Sequence, residues 1–243
     1  MQKSMRIAIV SDIHGNGTAF EAVLADLRET SPDLTLHGGD LTDPGSSPAE
    51  IIDHIRDLGW SGVLGNTDEM HSRPESLDEF AAQSSAPRGL WSTIREMAAF
   101  TRDVLGSQRI AWLSSLPRVH IQAPIALVHG RPETPWRAPS ADANDQEFQS
   151  TYEPLGQPIV VYGHIHRPFI RQLTHLLIAN TGSVSLSYDG DPRAAYLLID
   201  DATPTIRRVP YDLEKEIAAL ASSGLPHADW IAKSLRTATP QMP

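Results

Sequence analysis

Histidine, aspartate and asparagine recur in this sequence at the ends of short apolar runs, each time beside glycine. One of these runs, IVVY, leads into GHIHR, in which His164 and His166 are separated by a single residue. An isolated pair of this kind is more often a polar turn than a metal site, because short motifs mislead. The pattern is informative because it occurs at five places along the chain: Asp12 and His14, Asp40, Asn66 and Asp68, His129, and His164 and His166.

Imidazole nitrogens together with carboxylate and amide oxygens form a ligand set that suits Mn²⁺, Fe, Zn²⁺ or Ni²⁺ and suits Ca²⁺ poorly. A carboxylate has two oxygens and can bridge two ions, and two ions about 3.5–4 Å apart clamp a phosphoryl group and generate hydroxide near neutral pH. Taken singly, each of these residues has an ordinary role in capping, in a turn or in the core. Capping does not explain all of them at successive strand ends, so the set predicts a metal-dependent site.

The elements that must position these residues alternate between strands and helices. The sequence predicts strands at Met5–Val10, Leu34–Leu36 and Val63–Leu64, with helices at Thr18–Arg28 and Pro48–Leu58. This repeated order of strand, loop and helix is typical of an α/β fold. In open α/β sheets the loops after the carboxyl ends of the strands meet in one crevice, so we expect the polar residues to gather there.

The middle of the chain, Ser76–Leu116, has helical patterns without a clear strand and predicts helices inserted at one end of the sheet. Its aromatic residues Trp91, Phe100 and Trp112 either form a small core of the insertion or wall the cleft. The region Arg131–Pro154 predicts a loop with one helix.

The second half of the chain predicts short strands joined by turns and then two terminal helices. The strands are expected at Val119–Ile121, Ile125–Val128, Ile159–Tyr162, Phe169–Leu173, Leu176–Ala179, Val184–Ser187, Ala195–Ile199 and Thr205–Val209. The helices are expected at Leu213–Leu220 and Ala228–Leu235.

Composition limits the partners. The chain has 243 residues, enough for one large core, arranged as one large domain or two small ones. A formal net charge of −10 argues against a stable nucleic acid partner, and it suits a small anionic substrate only where metal ions supply positive charge. The absence of cysteine excludes disulfides, thiolate zinc sites and a cysteine nucleophile.

The sequence also bears on location. The apolar run near the N-terminus, MRIAIV, is too short for a signal-peptide core, and no stretch approaches the length of a membrane span. We therefore expect a cytoplasmic protein without a membrane partner. The sequence is compatible with a homo-oligomer.

The five motifs together resemble the calcineurin-like metallophosphoesterase superfamily, in particular its bacterial branch of small phosphodiesterases and phosphatases. The stretch NTGSVS, Asn180–Ser185, is similar to a turn that this branch carries after its last ligand. The resemblance covers Met5 to Val209. It implies an α/β (α+β) fold, a four-layer αββα sandwich of two mixed β-sheets flanked by helices. We expect a metallophosphoesterase domain in residues 1–210, with a helical insertion at about 72–116, and C-terminal helices in residues 211–243 packed on that domain.

The resemblance implies a ligand set for two divalent ions. One ion would be held by Asp12, His14, Asp40 and His166, and the other by Asp40, Asn66, His129 and His164, with Asp40 bridging. A metal-bridging hydroxide would attack phosphorus in line, while the ions and Asn66 stabilise the developing charge. Arg131 and Arg137 are candidates for contact with the substrate phosphate, although each has the ordinary alternative of a solvated surface arginine.

The chain departs from the family pattern at Thr67. Many members have a histidine there that is thought to protonate the leaving oxygen, and threonine cannot do so near neutral pH. His37, His71 and His120 are candidate replacements, but the geometry of the site must decide between this role and a structural one. The small bacterial phosphodiesterase branch also lacks this histidine, so its loss is compatible with activity.

The leading interpretation is therefore a binuclear-metal-dependent hydrolase of phosphate esters. Its expected substrates are phosphodiesters or small nucleotides. One alternative is a metal-dependent protein or nucleotide phosphatase. The other is a non-catalytic metal-binding scaffold for protein interactions, which would not explain an intact set of ligands.

Overall fold

Two five-stranded sheets form the centre of the fold in residues 5–243, which are the residues that the computed structural model describes. The first sheet has the order β10-β9-β1-β2-β3, in which β1, β2 and β3 are parallel and β9 and β10 are antiparallel to their neighbours. Its strands are β1 (Arg6–Val10), β2 (Leu34–His37), β3 (Ser61–Gly62), β9 (Ala194–Asp200) and β10 (Thr203–Val209).

The second sheet has the order β4-β5-β6-β8-β7 and is also mixed, because β5, β6 and β8 are parallel while β4 and β7 are antiparallel. Its strands are β4 (Val119–Gln122), β5 (Ile125–Val128), β6 (Ile159–Tyr162), β7 (Phe169–Gln172) and β8 (Leu177–Asn180). In both sheets the parallel strands are neighbours of one another, so their carboxyl ends lie at one edge of each sheet.

Helices cover the outer faces of both sheets. They are α1 (Gly17–Thr30), α2 (Pro48–Asp57), α3 (Asn66–Ser72), α4 (Glu75–Ala82), α5 (Arg88–Ser114), α6 (Asp145–Tyr152), α7 (Leu213–Ser223) and α8 (Ala228–Thr237), with a short 3₁₀ helix at Glu153–Leu155.

The alternation of side chains along the strands builds the layers, because successive residues of a strand point to opposite faces. In β1, Ile7 and Ile9 pack between the two sheets, whereas Ala8 and Val10 pack on the outer side with residues of α1 and α2. In β6, Val160 belongs to the outer core that Phe148 of α6 covers. The predicted four-layer sandwich of two mixed sheets is therefore confirmed.

The predicted insertion is helical and lies between β3 and β4, where α3, α4 and α5 follow one another. Its three aromatic residues do not form one core. Trp112 packs against the main core beside His37, and Phe100 packs with the C-terminal helices. Trp91 makes an edge-to-face contact with Phe80, with ring centroids 5.7 Å apart.

Two predicted strands are wrong. The third strand is Ser61–Gly62 rather than Val63–Leu64, because the amide of Leu64 donates to the carbonyl of Pro117 at 2.9 Å instead of joining the ladder. Val184–Ser187 is not a strand. The amide of Val184 donates to the carbonyl of Ser11 at 3.2 Å, which places the segment on the loop after β1.

The C-terminal helices pack on the rest of the described chain. Glu216 of α7 accepts a hydrogen bond from Ser46 Oγ at 2.8 Å, and Ile231 of α8 packs with Met97 of α5. These contacts support our proposal that residues 211–243 belong to the same domain as the sandwich. The predicted domain bounds begin at residue 1, and residues 1–4 lie outside the described residues. Among the helices of residues 5–243, none combines the length and apolar character needed to cross a bilayer.

Candidate metal centre

The loops that follow the parallel strands hold their polar residues in an unusual backbone conformation. Asp12, His14, Asp40, His164 and His166 all have positive φ, between 47° and 66°. Residues other than glycine seldom adopt this left-handed region, at a cost of about 1–3 kcal/mol each, and such strain collects at functional sites. Hydrogen bonds between the loops stabilise this backbone conformation; for example, the amide of Asp12 donates to the carbonyl of Gly39 at 3.0 Å.

Glycines allow these loops to approach one another closely. A Cβ on Gly65 would meet the carboxylate of Asp40, and a Cβ on Gly163 would meet the side chains of Ser11 and Asp12. Glycine is therefore required at these two positions of the motifs, because any side chain there would displace a carboxylate.

Four of the predicted residues form a buried cluster. The ligand atoms of Asp12, His14, Asp40 and His166 all lie within 4.8 Å of one another. His166 Nε2 is 3.2 Å from Asp12 Oδ1, and His14 Nε2 is 3.7 Å from Asp40 Oδ2.

The hydrogen bonds of the two imidazoles indicate that this cluster fits a cation. His14 Nδ1 donates to the carbonyl of Asp43, and His166 Nδ1 donates to the carbonyl of Leu186 at 2.6 Å. In neutral imidazoles bound in this way each Nε2 carries a lone pair. The two Nε2 atoms face each other at 3.1 Å, where lone pairs repel unless a cation lies beside them. Fixing Nδ1 on a carbonyl is the usual way in which a protein orients a histidine ligand.

The other predicted residues form a second group that also contacts Asp40. His129 Nε2 lies 3.4 Å from Asp40 Oδ2 and 3.0 Å from Asn66 Oδ1. His164 Nδ1 lies 2.8 Å from the same oxygen of Asn66. His129 Nδ1 donates to the carbonyl of Gly38 at 2.8 Å, which again directs Nε2 toward the acidic centre. The structure thus brings all seven predicted ligand residues together.

Burial and mutual charge set the protonation of these groups. Burial would raise the pKa of Asp40, but the neighbouring charge of His129 and a hydrogen bond with it hold the pKa well below its usual range. Burial would lower the pKa of His129, and the carboxylate of Asp40 outweighs this and raises the pKa to about 9. Burial, helped by the charge of His129, lowers the pKa of His164 to about 4. The carboxylate of Asp40 therefore stays ionised and favours a cation beside it.

Two further segments brace the site. In the NTGSVS turn, Asn180 Nδ2 donates to the carbonyl of Gly163 at 2.6 Å and Ser183 Oγ donates to the carbonyl of Asp12 at 2.8 Å. Asp68 accepts the amide of Leu41 at 2.9 Å, which links the first turn of α3 to the loop after Asp40. These residues position the ligand loops through hydrogen bonds.

Comparison with known proteins agrees with this geometry. The profile of the calcineurin-like phosphoesterase superfamily domain matches residues 5–203. The chain belongs to the calcineurin-like phosphoesterase superfamily. It is therefore a metal-dependent hydrolase that acts on phosphate ester bonds.

Several relatives of this phosphoesterase resemble it over nearly their whole length. An uncharacterized protein of Methanocaldococcus jannaschii is 31% identical over 97% of this chain and 98% of its own. A probable metallophosphoesterase of Methanothermobacter thermautotrophicus is 26% identical over 81% of this chain and 87% of its own. The crystal structure of a metallophosphoesterase from Sphaerobacter thermophilus is 27% identical, covers 98% of this chain and 100% of its own, and has a TM-score of 0.79.

A cavity of about 270 Å³ opens beside the predicted ligand residues of the phosphoesterase. Asp40, Asn66, Thr67 and His164 line it, and most of the remaining lining comes from α3, α4, α5 and α8, with Trp136 of the loop before α6. Tyr188 stacks on His166 and also lines the cavity, with ring centroids 4.6 Å apart. Sequence reasoning missed Tyr188 and the contribution of α8. Tyr188, shortly after NTGSVS, and Trp230 of α8 were visible in the sequence as aromatic residues. No local pattern connected them to the five motifs.

The remaining candidates lie at the rim or outside the cavity. Arg131 and Arg137 line a shallow depression that also includes His164, and Arg131 pairs with Glu147 at 2.9 Å. His37 and His71 are buried, and neither lines the cavity. Burial lowers the pKa of His37 to about 3 and that of His71 to about 4, so both are neutral.

Proposed function

We propose that the chain is a phosphodiesterase that uses two divalent metal ions. One ion would be held by Asp12, His14, Asp40 and His166, and the other by Asp40, Asn66, His129 and His164. The observation that carries the proposal is the position of Asp40 Oδ2, which lies 3.7 Å from His14 Nε2 and 3.4 Å from His129 Nε2. One carboxylate oxygen thus faces both groups of ligands, as a bridging residue must.

Bound there, two ions such as Mn²⁺, Fe, Zn²⁺ or Ni²⁺ would activate water and neutralise charge on the phosphoryl oxygens. Hydrogen bonds from the backbone fix the carboxylates that would hold these ions. Asp40 Oδ1 accepts the amide of Thr67 at 2.9 Å, and Asp12 Oδ1 accepts the amide of His164 at 3.0 Å. Carboxylates fixed in this way do not need to reorganise during the reaction, which is the source of electrostatic catalysis. Asn66 is half-buried at the edge of the cavity, where its amide can contact the substrate.

The surroundings favour diesters over monoesters. A phosphate monoester carries about −1.5 to −2 charges at neutral pH, more than the single charge of a diester. Among the described residues that line the cavity there is no lysine or arginine to offset a second charge. Thr67 also cannot protonate a basic leaving group, so alkyl esters of either kind should be poor substrates.

The size of the cavity supports a small substrate over a phosphoprotein. Its volume of about 270 Å³ is close to the lower end of the range, about 300–1,000 Å³, for sites that bind small molecules. The intact ligand set, with three imidazoles fixed through Nδ1, argues against a non-catalytic scaffold. With a net charge of −10, a stable nucleic acid partner is not part of the proposal.

The proposal is tested by hydrolysis of bis(4-nitrophenyl) phosphate and 4-nitrophenyl phosphate after chelation and reloading with each metal. We expect Mn²⁺-loaded protein to hydrolyse the diester with the higher kcat/KM, and chelated protein to be inactive. Asp142→Asn, which loses a carboxylate at an exposed position, should remain active. The absence of hydrolysis with all metals and both esters, or a clear preference for the monoester, would contradict the proposal.

A further inference from the structure

The cavity beside the ligand residues has aromatic walls from distant parts of the chain. Trp91 of α5, Trp136 of the loop before α6 and Trp230 of α8 line it together with Phe80 and Tyr188. Flat aromatic rings on several sides suit a planar apolar group, because rings stack or meet edge to face. The helical insertion and the C-terminal helices therefore form a subsite that adjoins the phosphoryl position.

The charge of this subsite restricts what it can hold. Among the described residues that line it there is no lysine or arginine, and its two carboxyl groups, Asp40 and Asp43, belong to the end beside the ligand cluster. A second phosphate group would meet no cation in the aromatic part and would lose its hydration there. A group bound against the tryptophans would therefore carry no negative charge.

The three indole N–H groups differ in their partners. Trp136 Nε1 donates to Glu69 Oε2 at 2.6 Å, and Trp230 Nε1 donates to the carbonyl of Gln241 at 2.9 Å. Trp91 Nε1 is buried and has no hydrogen-bond partner in the described part of the chain. A buried donor without a partner costs free energy, which a ligand with an acceptor atom would recover.

We propose that this cavity binds the organic group of the ester and selects an uncharged heteroaromatic ring the size of a nucleobase. An acceptor atom of the ring receives the hydrogen bond of Trp91 Nε1, and the remaining tryptophans enclose its faces. This inference rests on the proposed phosphodiesterase function, because the phosphoryl group fixes the other end of the substrate at the ligand cluster.

Calorimetry with product-like ligands tests the inference without any turnover. Mn²⁺-loaded full-length protein is titrated with ribose 5-phosphate and with the four ribonucleoside 5′-monophosphates, which add only the base. We expect at least one nucleotide to bind about tenfold or more tighter than ribose 5-phosphate, as one recovered hydrogen bond and ring contacts would give. Equal affinities for ribose 5-phosphate and all four nucleotides would overturn the inference, and this comparison needs only the wild-type protein.

Trp91→Phe then isolates the indole N–H, since it keeps an aromatic ring at the same position. It should reduce the preference for the base about tenfold, whereas Trp112→Phe, on the same helix but outside the cavity, should leave it unchanged. An unchanged base preference in Trp91→Phe would overturn the role of Trp91.

Ester hydrolysis without a base preference would overturn this inference and leave the phosphodiesterase proposal standing. A base preference without hydrolysis of any ester would support the subsite and contradict the phosphodiesterase.

Discussion

Thr67 places a hydroxyl group beside the predicted ligand residues, at the position where the family pattern implies a histidine acid. Its amide is bonded to Asp40, and its buried Oγ1 has no hydrogen-bond partner within residues 5–243. The buried histidines His37 and His71 do not line the cavity, so neither reaches a substrate held there.

We therefore predict strong dependence on the leaving group. The wild type should hydrolyse nitrophenyl diesters far faster than alkyl esters, because a positioned general acid contributes a factor of about 10²–10⁴ mainly for basic leaving groups. Thr67→His should narrow the gap, and Thr67→Val, which removes only the hydroxyl, should not. The measurement is a plot of log kcat/KM against leaving-group pKa for all three proteins. A shallow slope in the wild type would mean that another group protonates the leaving oxygen.

Asp40 is the residue on which both ions would depend. Asp40→Asn removes the charge that faces both His14 and His129. We expect this variant to lose both ions while keeping its fold, as measured by elemental analysis and circular dichroism after reloading with Mn²⁺. Asp142→Asn should keep the metal content of the wild type. Retention of two ions by Asp40→Asn would show that Asp40 is not the bridge.

At the scale of elements, the close approach of the loop before α3 to the loop after β2 sets the geometry of the site. Gly65 has φ −88°, an ordinary value that alanine adopts, so Gly65→Ala acts only through its added Cβ against Asp40.

We expect Gly65→Ala to lower the free energy of unfolding by about 1–3 kcal/mol, as overpacking does, and to reduce metal content. Gly89→Ala is the control, because its Cβ meets no atom within 4 Å and a helical alanine is favourable. Thermal melts and metal analysis of both variants provide the measurement. Full metal content in Gly65→Ala would mean that the close approach does not govern binding.

The elements also show what the sequence could and could not predict. The residues that gather around Asp40 could be selected from the sequence as candidate ligands because each follows an apolar strand within a few residues, a local signal that glycine reinforces. Val184–Ser187 was mistaken for a strand because its alternation of polar and apolar residues reflects packing against the loop after β1 instead. The contribution of α8 to the cavity depends on packing between Met97 and Ile231, residues far apart in the chain, which no local pattern reports.

For the whole molecule, buried neutral histidines make stability depend on pH. The folded state lowers the pKa of His37 to about 3 and that of His71 to about 4 through burial, whereas the unfolded chain has the ordinary value of about 6.5. The unfolded chain therefore binds more protons below pH 6.5. Stability from these groups is complete above that pH and falls as the pH drops toward 4 and 3.

Each of the two histidines should remove about 1.4 kcal/mol of unfolding free energy per pH unit below 6.5. Urea denaturation in the presence of chelator at pH 7.5, 6.0 and 5.0 measures this dependence. His37→Gln should have a correspondingly smaller slope than the wild type, and His54→Gln, at an exposed position, should have the same slope. Identical slopes in the wild type and His37→Gln would contradict the assignment of His37 as a buried neutral group.

The most direct test of the two-metal centre is anomalous scattering from crystals of the Mn²⁺-loaded protein. Two ions bridged by Asp40 should give two peaks about 3.5–4 Å apart, both beside that carboxylate. His166→Ala should remove the peak beside Asp12 and His14, and His164→Ala should remove the peak beside Asn66 and His129. A single peak in the wild type would contradict the two-metal centre, and loss of the opposite peak in each variant would contradict the assignment of His164 and His166.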